Sequence, residues 1–346
     1  MRGVREGKRD PDKVRSMIVD KVSGVEVVLP FNELTLAWPC LVGADVVRVE
    51  RSENTTWLVG GPGGMFAVRR YRDGYVDMRS IRSELALMQL AKDALPIEIP
   101  GVVPTRRGEE VLYCFDGLYV VFTLLPGEMA TQSDIVAQAS RIGEMAALLH
   151  RSGEDLDRTQ QTRWNWDAAA LTGEAPRWGS WQPAFAHEPR GYEIVAAAQG
   201  EVEAQMGVAS RGESAYGLLH ADLRAANLLV HEGALTGIID FDDCGFGWYV
   251  YEAVASLSFY ETSPDASRFL RAWLAGYAQV RVLSEESLAL LPTLVIYRRL
   301  LLTAWLLGHP HVAVPGVDRY RFGIDTADLA DRYLRDPYDI ERLLAT

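Results

Sequence analysis

The sequence predicts an α+β protein with two lobes: a smaller lobe of antiparallel strands with one helix, and a larger, mainly helical lobe. Three observations predict this fold. The 346 residues exceed what one ordinary hydrophobic core organises. Short alternating and β-branched runs fill residues 45–124, whereas helical patterns dominate from residue 133. Pro126-Gly127 is turn chemistry between these regions. The predicted parts are a polar arm at 1–20, a first lobe at 21–125 and a second lobe at 126–346.

The first lobe begins with three predicted strands. Residues 45–50 alternate apolar and polar side chains, the period of a half-buried strand. Residues 55–59 and 66–71 are rich in β-branched and aromatic side chains, and the glycine-rich stretch 60–64 between them predicts a hairpin. A helical stripe follows at 76–93.

A second hairpin is predicted over residues 110–124, with its turn at Asp116-Gly117. The second lobe then carries amphipathic patterns and one irregular segment, 151–191, which is rich in Trp, Pro and Gly. The helices predicted in this lobe cover residues 135–150, 192–206, 250–260, 266–280, 284–307 and 326–334.

Composition narrows the kind of partner. The net charge of −12 disfavours nucleic acid and acidic membrane surfaces, and it is compatible with a cationic substrate or simply with solubility. The three cysteines are far apart, which argues against a disulfide framework or a zinc site and favours a reducing compartment. The longest apolar run, near 300–307, is too short to span a membrane, and residues 1–20 lack a signal-peptide core. A cytoplasmic location is therefore predicted.

Residues 218–243 carry the most informative pattern in the chain. Two apolar runs flank a polar loop that contains Asp222 and Asn227 at a spacing of five, and the next apolar run ends at Asp240. Phosphoryl transfer needs a carboxylate that accepts a hydroxyl proton and oxygen ligands that hold a divalent metal, and this spacing supplies both. The alternative reading is a polar loop between two buried strands, with Asp and Asn as turn residues.

Residues 220–230 (HADLRAANLLV) and 237–257 (GIIDFDDCGFGWYVYEAVASL) resemble the aminoglycoside phosphotransferase superfamily, which includes choline kinases and type II homoserine kinases. The similarity covers roughly 45–335 and is nearest to the homoserine kinase and stress-response Ser/Thr kinase branch. The resemblance implies a protein-kinase-like fold, Mg²⁺, and ATP, or GTP as in some members.

The resemblance also implies a role for each residue of the pattern. Asp222 corresponds to the catalytic base and His220 to a residue that braces the loop by hydrogen bonds. Arg224, two positions after the base, could orient a carboxylate or balance the acidic cluster. The implied metal ligands are Asn227, Asp240 and Asp242, the last of which could instead touch the substrate.

A kinase also needs a cation on its third strand to hold the nucleotide phosphates. Because strand side chains alternate, Arg69 shares a face with Ala67 and takes the place of the usual Lys, with Glu84 as its helix partner. Arg69 could equally be an exposed strand cation, and the departure from Lys leaves a weak kinase or a pseudokinase open. Further nucleotide contacts are predicted at Ser52, Thr55, Thr123 and Leu125.

The segment after the metal loop, together with the Trp-rich segment, is implied to form the acceptor pocket. Its candidate residues are Asp243, Trp248, Glu252 and Trp164. The aromatic members could instead pack in the core.

Three functions follow in order of preference. The first is a kinase that phosphorylates a hydroxyl of a small molecule, because the Trp-rich segment could close off the cleft. The second is a Ser/Thr kinase that acts on a protein or peptide. The third, a non-catalytic nucleotide-binding protein, is disfavoured because the acidic cluster is intact.

Overall fold

The structure is a computed structural model that describes residues 17–19, 26–51, 53–114, 117–157 and 161–345. It divides into two compact units. The N-terminal unit consists of Met1–Arg82 and Pro100–Leu124, and the C-terminal unit of Ser83–Ile99 and Leu125–Thr346. Residues 83–99, which the sequence-based boundaries assign to the first lobe, thus group with the C-terminal unit. Of the predicted polar arm, only residues 17–19 lie in the described part of the chain, and they form a strand.

The N-terminal unit is built on an antiparallel sheet. Its strands are β3 (Asp45–Arg51), β4 (Thr55–Gly61), β5 (Gly64–Arg70), β6 (Val102–Val103), β7 (Leu112–Cys114) and β8 (Gly117–Thr123). They are arranged in the order β3-β4-β5-β8-β6, with β7 also paired to β8. A separate pair consists of β1 (Met17–Val19) and β2 (Glu26–Val28). The three predicted strands and the hairpin between β4 and β5 are confirmed.

One face of this sheet is covered by a short helix that the sequence analysis did not predict, α1 (Phe31–Ala37). Alternate residues of β4 point inward, so Trp57 and Val59 are buried against Trp38 and Leu34. The indole N–H of Trp38 donates to the carbonyl oxygen of Val103 at 2.8 Å, which satisfies its polar atom inside the core.

Helices make up most of the remaining chain. The predicted helix at 76–93 is α2 (Met78–Ala94), within which the boundary between the two units falls. Two predicted helices are each divided, the first at Gln138 and the second at Leu290. The helices of the C-terminal unit are α3 (Gln132–Ala137), α4 (Ala139–Ser152), α5 (Ala168–Thr172), α6 (Pro189–Val208), α7 (Tyr251–Ser256), α8 (Ala266–Tyr277), α9 (Glu285–Ala289), α10 (Leu291–Gly308), α11 (Arg319–Arg335) and α12 (Ile340–Leu344).

The helices α4 and α8 cross at close range because each contributes a glycine. A Cβ added at Gly143 would overlap the carbonyl oxygen of Trp273, and one at Gly276 would overlap that of Ser140. The backbones can therefore approach more closely than side chains would allow. Helix α4 also packs against the strand that leads into the polar loop.

The longest apolar stretch is α10, an 18-residue helix whose length and composition would suffice to cross a membrane. The sequence analysis therefore underestimated the length of this apolar stretch, which it placed near residues 300–307. The structure buries 89% of this helix inside the C-terminal unit, as expected of a core helix. It nevertheless carries two consecutive arginines, Arg298 and Arg299, both buried.

Two small sheets hold the loops of the 218–243 pattern. Their strands are β9 (Glu128–Met129), β10 (Trp164–Asn165), β11 (Tyr216–Leu219), β12 (Leu228–His231), β13 (Ala234–Ile238) and β14 (Gly245–Trp248). In one sheet β14 lies between β10 and β11, and in the other β12 lies between β13 and β9. The loop 220–227 joins β11 to β12, and the loop 239–244 joins β13 to β14.

Candidate active site

Both loops contain a non-glycine residue in the left-handed backbone region. Ala221 has φ +65° and Asp240 has φ +64°. Such a conformation costs roughly 1–2 kcal/mol for a residue with a Cβ, so the surrounding contacts must hold it. The strain lies directly beside Asp222 in the first loop and at Asp240 itself in the second.

Glu252, near the start of α7, holds the first loop by its backbone. The N–H of His220 donates to Oε2 at 2.7 Å and the N–H of Ala221 donates to Oε1 at 2.9 Å. The side chain is fully buried, and burial raises its pKa to about 7 against the opposing effect of His220 and these two N–H groups. The prediction that Glu252 contacts the acceptor is wrong, because both of its oxygens are engaged inside the core.

His220 links the two loops. The N–H of Asp222 donates to its Nδ1 at 3.3 Å, and its Nε2 lies 3.1 Å from the carbonyl oxygen of Ile239. A neutral ring that accepts at Nδ1 must carry its proton on Nε2, so Nε2 donates to Ile239. The imidazole therefore ties the residue before Asp240 to the loop that carries Asp222.

Both oxygens of the Asp222 carboxylate accept hydrogen bonds. Arg224 Nε and Asn227 Nδ2 donate to Oδ2 at 2.9 and 2.6 Å, and Arg298 Nη2 donates to Oδ1. Burial raises the pKa of Asp222, but the Arg224 and Arg298 guanidiniums outweigh it, so the pKa is lowered from its usual value. The carboxylate is therefore ionised and fixed in orientation.

Asn227 is placed to serve as an oxygen ligand. Its Nδ2 also donates to the backbone carbonyl of Asp222 at 2.9 Å, and among the described residues none donates a hydrogen bond to its Oδ1. The N–H of Ile239 donates to the carbonyl oxygen of Asn227 at 2.9 Å, which brings Asp240 beside it. In the described part of the chain no three His, Cys, Asp or Glu side chains converge closely enough to enclose a metal. The donors present are hard oxygens, which fits a cation such as Mg²⁺ that keeps water and phosphate ligands.

The Trp-rich segment packs on the second loop. Strand β10 runs parallel to β14, and the Trp166 indole donates to the carbonyl oxygen of Asp243 at 2.8 Å. Arg163 donates to the carbonyl oxygens of Asp242 and Cys244 and lies 3.6 Å from the Glu84 carboxylate. The segment therefore supports the backbone that carries the acidic cluster.

Asp243 lies near two cations, Arg177 and Arg298, and two other carboxylates. Arg177 Nη2 lies 3.1 Å from its Oδ1, and the same guanidinium stacks 3.3 Å from the Trp164 ring. Burial and the neighbouring Asp222 and Asp242 raise the pKa of Asp243 to about 6, although Arg177 opposes the shift. Trp164 is half-buried, whereas Asp243 is almost fully buried.

Trp248 belongs to the core. It is 1% exposed, its indole donates to the carbonyl oxygen of Ser210 at 2.9 Å, and its ring packs edge-on against Tyr216. The prediction that it contacts the acceptor is therefore wrong, and the alternative reading of this aromatic as a packing residue applies.

The nucleotide-side candidates are distributed over both units. In the N-terminal unit, Arg69 lies on β5 with its guanidinium 5.5 Å from the Phe122 ring, Thr55 begins β4, and Thr123 Oγ1 accepts from the Gly101 N–H at 2.8 Å. In the C-terminal unit are Glu84, on α2, and Leu125. Ser52 lies outside the described residues. The nucleotide roles of these residues, and the pairing of Arg69 with Glu84, stay predictions.

The sequence analysis did not predict the contacts that three arginines, Arg163, Arg177 and Arg298, make with residues of the two loops. A detectable signal existed for the last, because an arginine pair inside an otherwise apolar helix requires buried carboxylate partners. No local pattern marks the other two, which lie in the irregular segment.

The fold and the two loops define a class, that of phosphotransferases with a protein-kinase-like fold. The chain belongs to the phosphotransferase enzyme family, whose model matches residues 45–283. Membership implies a nucleotide donor of the ATP type and a divalent metal. The predicted family, fold and kinase activity toward a hydroxyl acceptor are confirmed.

Individual relatives agree with this assignment. A homoserine kinase from Acidiphilium cryptum (strain JF-5) is 29% identical over 269 residues, which cover 73% of this chain and 79% of that protein. The structure of the microcompartment-associated aminopropanol kinase is 32% identical, with a TM-score of 0.76 over 86% of this chain and 94% of that one. Amicoumacin kinase hAmiN is 18% identical with a TM-score of 0.69, over 90% of this chain and 95% of that one, and shows the fold alone.

Proposed function

We propose that this protein transfers the γ-phosphoryl group of ATP, with Mg²⁺, to a hydroxyl of a small amino alcohol. The relatives named as homoserine kinase and aminopropanol kinase support this substrate class, since both names denote short molecules that carry a hydroxyl and an amine. We further propose a cytoplasmic location, on the grounds of the isolated cysteines.

The observation that carries the proposal is the arrangement around Asp222. Its carboxylate is ionised, fixed and 2.6 Å from Asn227, which in turn offers Oδ1 as a metal ligand. In this assignment Asp222 accepts the proton of the acceptor hydroxyl as it attacks. Mg²⁺ would be held by Asn227, Asp240 and Asp242, where it would neutralise charge on the phosphates.

Two features support recognition of a cationic acceptor. Asp243 retains a raised pKa despite Arg177, chiefly because the carboxyl is buried and further because Asp222 and Asp242 repel its charge. A further cation at this carboxylate would relieve that repulsion. The half-buried ring of Trp164 lies beside the same ion pair, and an aromatic face also attracts an ammonium group.

A screen for nucleotide consumption tests the proposal. Purified protein with ATP and Mg²⁺ is offered homoserine, 1-amino-2-propanol, ethanolamine, an aminoglycoside and a Ser/Thr peptide, and ADP release and the phosphorylated product are both followed. We expect product with at least one short amino alcohol. Exclusive phosphorylation of the peptide or the aminoglycoside would overturn the proposed substrate class, and exchange of ATP for GTP tests the donor.

A further inference from the structure

Arg298 is a fully buried cation in the middle of the apolar helix α10. A buried guanidinium is stable only when its charge is paired and its N–H groups are bonded. Arg298 meets this requirement with four hydrogen bonds. Its acceptors are Ser258 Oγ at 2.9 Å, Tyr251 OH at 3.1 Å, the Ala221 carbonyl oxygen at 3.3 Å and Asp222 Oδ1.

We propose that Arg298 is a positioning residue that fixes the Asp222 carboxylate for proton transfer. It holds the proposed base at two points of the same loop, the side-chain oxygen Oδ1 and the preceding carbonyl of Ala221. Ala221 is also the residue with the left-handed backbone, so Arg298 supports both the strained backbone and the rotamer that follows it.

The two arginines that bond the Asp222 carboxylate differ in how freely their side chains can move. Arg298, on Oδ1, has a fully buried side chain, whereas the Arg224 side chain, on Oδ2, is 26% exposed. Arg224 can therefore swing away toward solvent, but Arg298 cannot. The acceptor hydroxyl takes the place of Arg224 at Oδ2 while Arg298 keeps the carboxylate oriented.

The neighbouring Arg299 shows what a purely structural arginine looks like in the same helix. It is also buried, and it bonds Glu261 Oε2 at 2.8 Å, Thr326 Oγ1 at 2.9 Å and the carbonyl oxygen of Phe322 at 3.0 Å. None of its partners belongs to the two loops of the site. Arg299 is therefore a control of equal burial and equal chemistry.

The inference rests on the proposed function, and the test separates the two. Arg298→Lys and Arg298→Gln are compared with Arg299→Lys and Arg299→Gln, at temperatures where each variant is folded by circular dichroism. We expect the Arg298 variants to lower kcat about 100-fold with the KM for ATP and acceptor within about threefold, as expected for a misplaced base. The Arg299 variants should lower Tm but leave kcat within about threefold of wild type.

A double-mutant cycle supplies the decisive comparison. If Arg298 acts through Asp222, Arg298→Gln should lower kcat much less in an Asp222→Asn background than in wild type. An equal loss of kcat in both backgrounds, or an unchanged kcat in the single variants, overturns the inference while the function stands. A wild-type protein that phosphorylates no acceptor overturns the proposed function instead.

Melting temperatures test the pairing of Arg298 with Asp222 even when no activity can be measured. The Tm loss from Arg298→Gln should be smaller in the Asp222→Asn background, because the uncompensated buried charge is then absent. Equal Tm losses in both backgrounds contradict the inferred pairing whether or not an acceptor is found. Should the Arg298 variants fail to fold, Ser258→Ala removes only the Nε anchor and should give a smaller kcat loss that is likewise suppressed by Asp222→Asn.

Discussion

Asn227 is bonded to Asp222 twice through one atom. Its Nδ2 donates to the Asp222 backbone carbonyl at 2.9 Å and to Oδ2 at 2.6 Å. The amide can satisfy both acceptors only in one orientation, which turns Oδ1 away from the carboxylate. The spacing of five residues thus leaves the Asp222 carboxylate available as a base and Asn227 Oδ1 available as a metal ligand.

Asn227→Asp should therefore be severely impaired although it is isosteric. The substitution replaces a donor by a second carboxylate at 2.6 Å from Oδ2, and two such charges cannot both remain ionised. We expect kcat to fall by about 100-fold or more. Steady-state kinetics over a range of Mg²⁺ concentrations measures this, with the exposed Asn32→Asp as control. A kcat equal to that of the control contradicts the assignment.

The left-handed backbone at Ala221 predicts that this position accepts glycine but not a β-branched residue. Ala221→Gly should keep kcat within about threefold, because glycine adopts this conformation without strain. Ala221→Val should lower both kcat and Tm strongly, because a β-branched residue is least compatible with positive φ and the site is fully buried. Kinetics and thermal melts of the two variants test this. Equal impairment of both would mean that the backbone conformation is not the determinant.

The carboxyl of Glu252 should make the stability of the protein depend on pH. Its pKa rises from 4.5 in the unfolded chain to about 7 in the fold, so the folded state binds more protons between these values. The contribution of Glu252 to stability is thus present below 4.5 and is lost as the pH rises to about 7.

Glu252→Gln removes this titration and also one of the two acceptors that hold the loop. The free energy of unfolding of the variant, minus that of wild type, should increase with pH over that window by a few kcal/mol at most, about 1.4 kcal/mol per pH unit. Urea unfolding at a series of pH values measures the difference. A difference that is independent of pH would show that the carboxyl does not titrate there. Separately, kcat should fall because one loop N–H loses its acceptor.

Asp243→Asn tests recognition of the acceptor amine. Loss of the carboxylate should raise the KM for an amino alcohol by about tenfold or more, since a charge-assisted hydrogen bond contributes roughly 1.5–3 kcal/mol. The KM for ATP should stay within about threefold. Asp265→Asn, in the same unit and with a side chain that is 48% exposed, is the matched control. An unchanged KM for the acceptor would show that Asp243 does not bind the amine.

Local sequence patterns predict the strand ends and the loop residues well. Asp222 and Asn227 lie in a loop between two apolar runs and Asp240 follows the next run, and the antiparallel pairing of β12 with β13 brings the two loops together. The same patterns do not predict which side chains from distant segments of the chain contact the site. The partner of Asp222 on α10 lies 76 residues away, and no periodicity encodes that pairing.

Burial explains why two residues that were predicted to contact the acceptor, Trp248 and Glu252, do not line a pocket for it. Trp248 and Glu252 directly follow the second loop, so proximity in sequence suggested a substrate contact. The fold instead turns Trp248 toward Ser210 and Glu252 toward the backbone of the first loop. Periodicity also could not foresee α1, whose seven residues are too few to show a helical stripe.

Asp222→Asn is the most direct test of the central claim, that this carboxylate acts as the base in phosphoryl transfer. The phosphorylated acceptor is quantified at saturating ATP, Mg²⁺ and acceptor for wild type and variant, with folding verified by circular dichroism. We predict a fall in kcat of about 100- to 10,000-fold in a variant that still folds, with Tm lowered because the buried Arg298 loses its carboxylate partner. Product formed by a folded variant at a rate within about threefold of wild type would contradict the account.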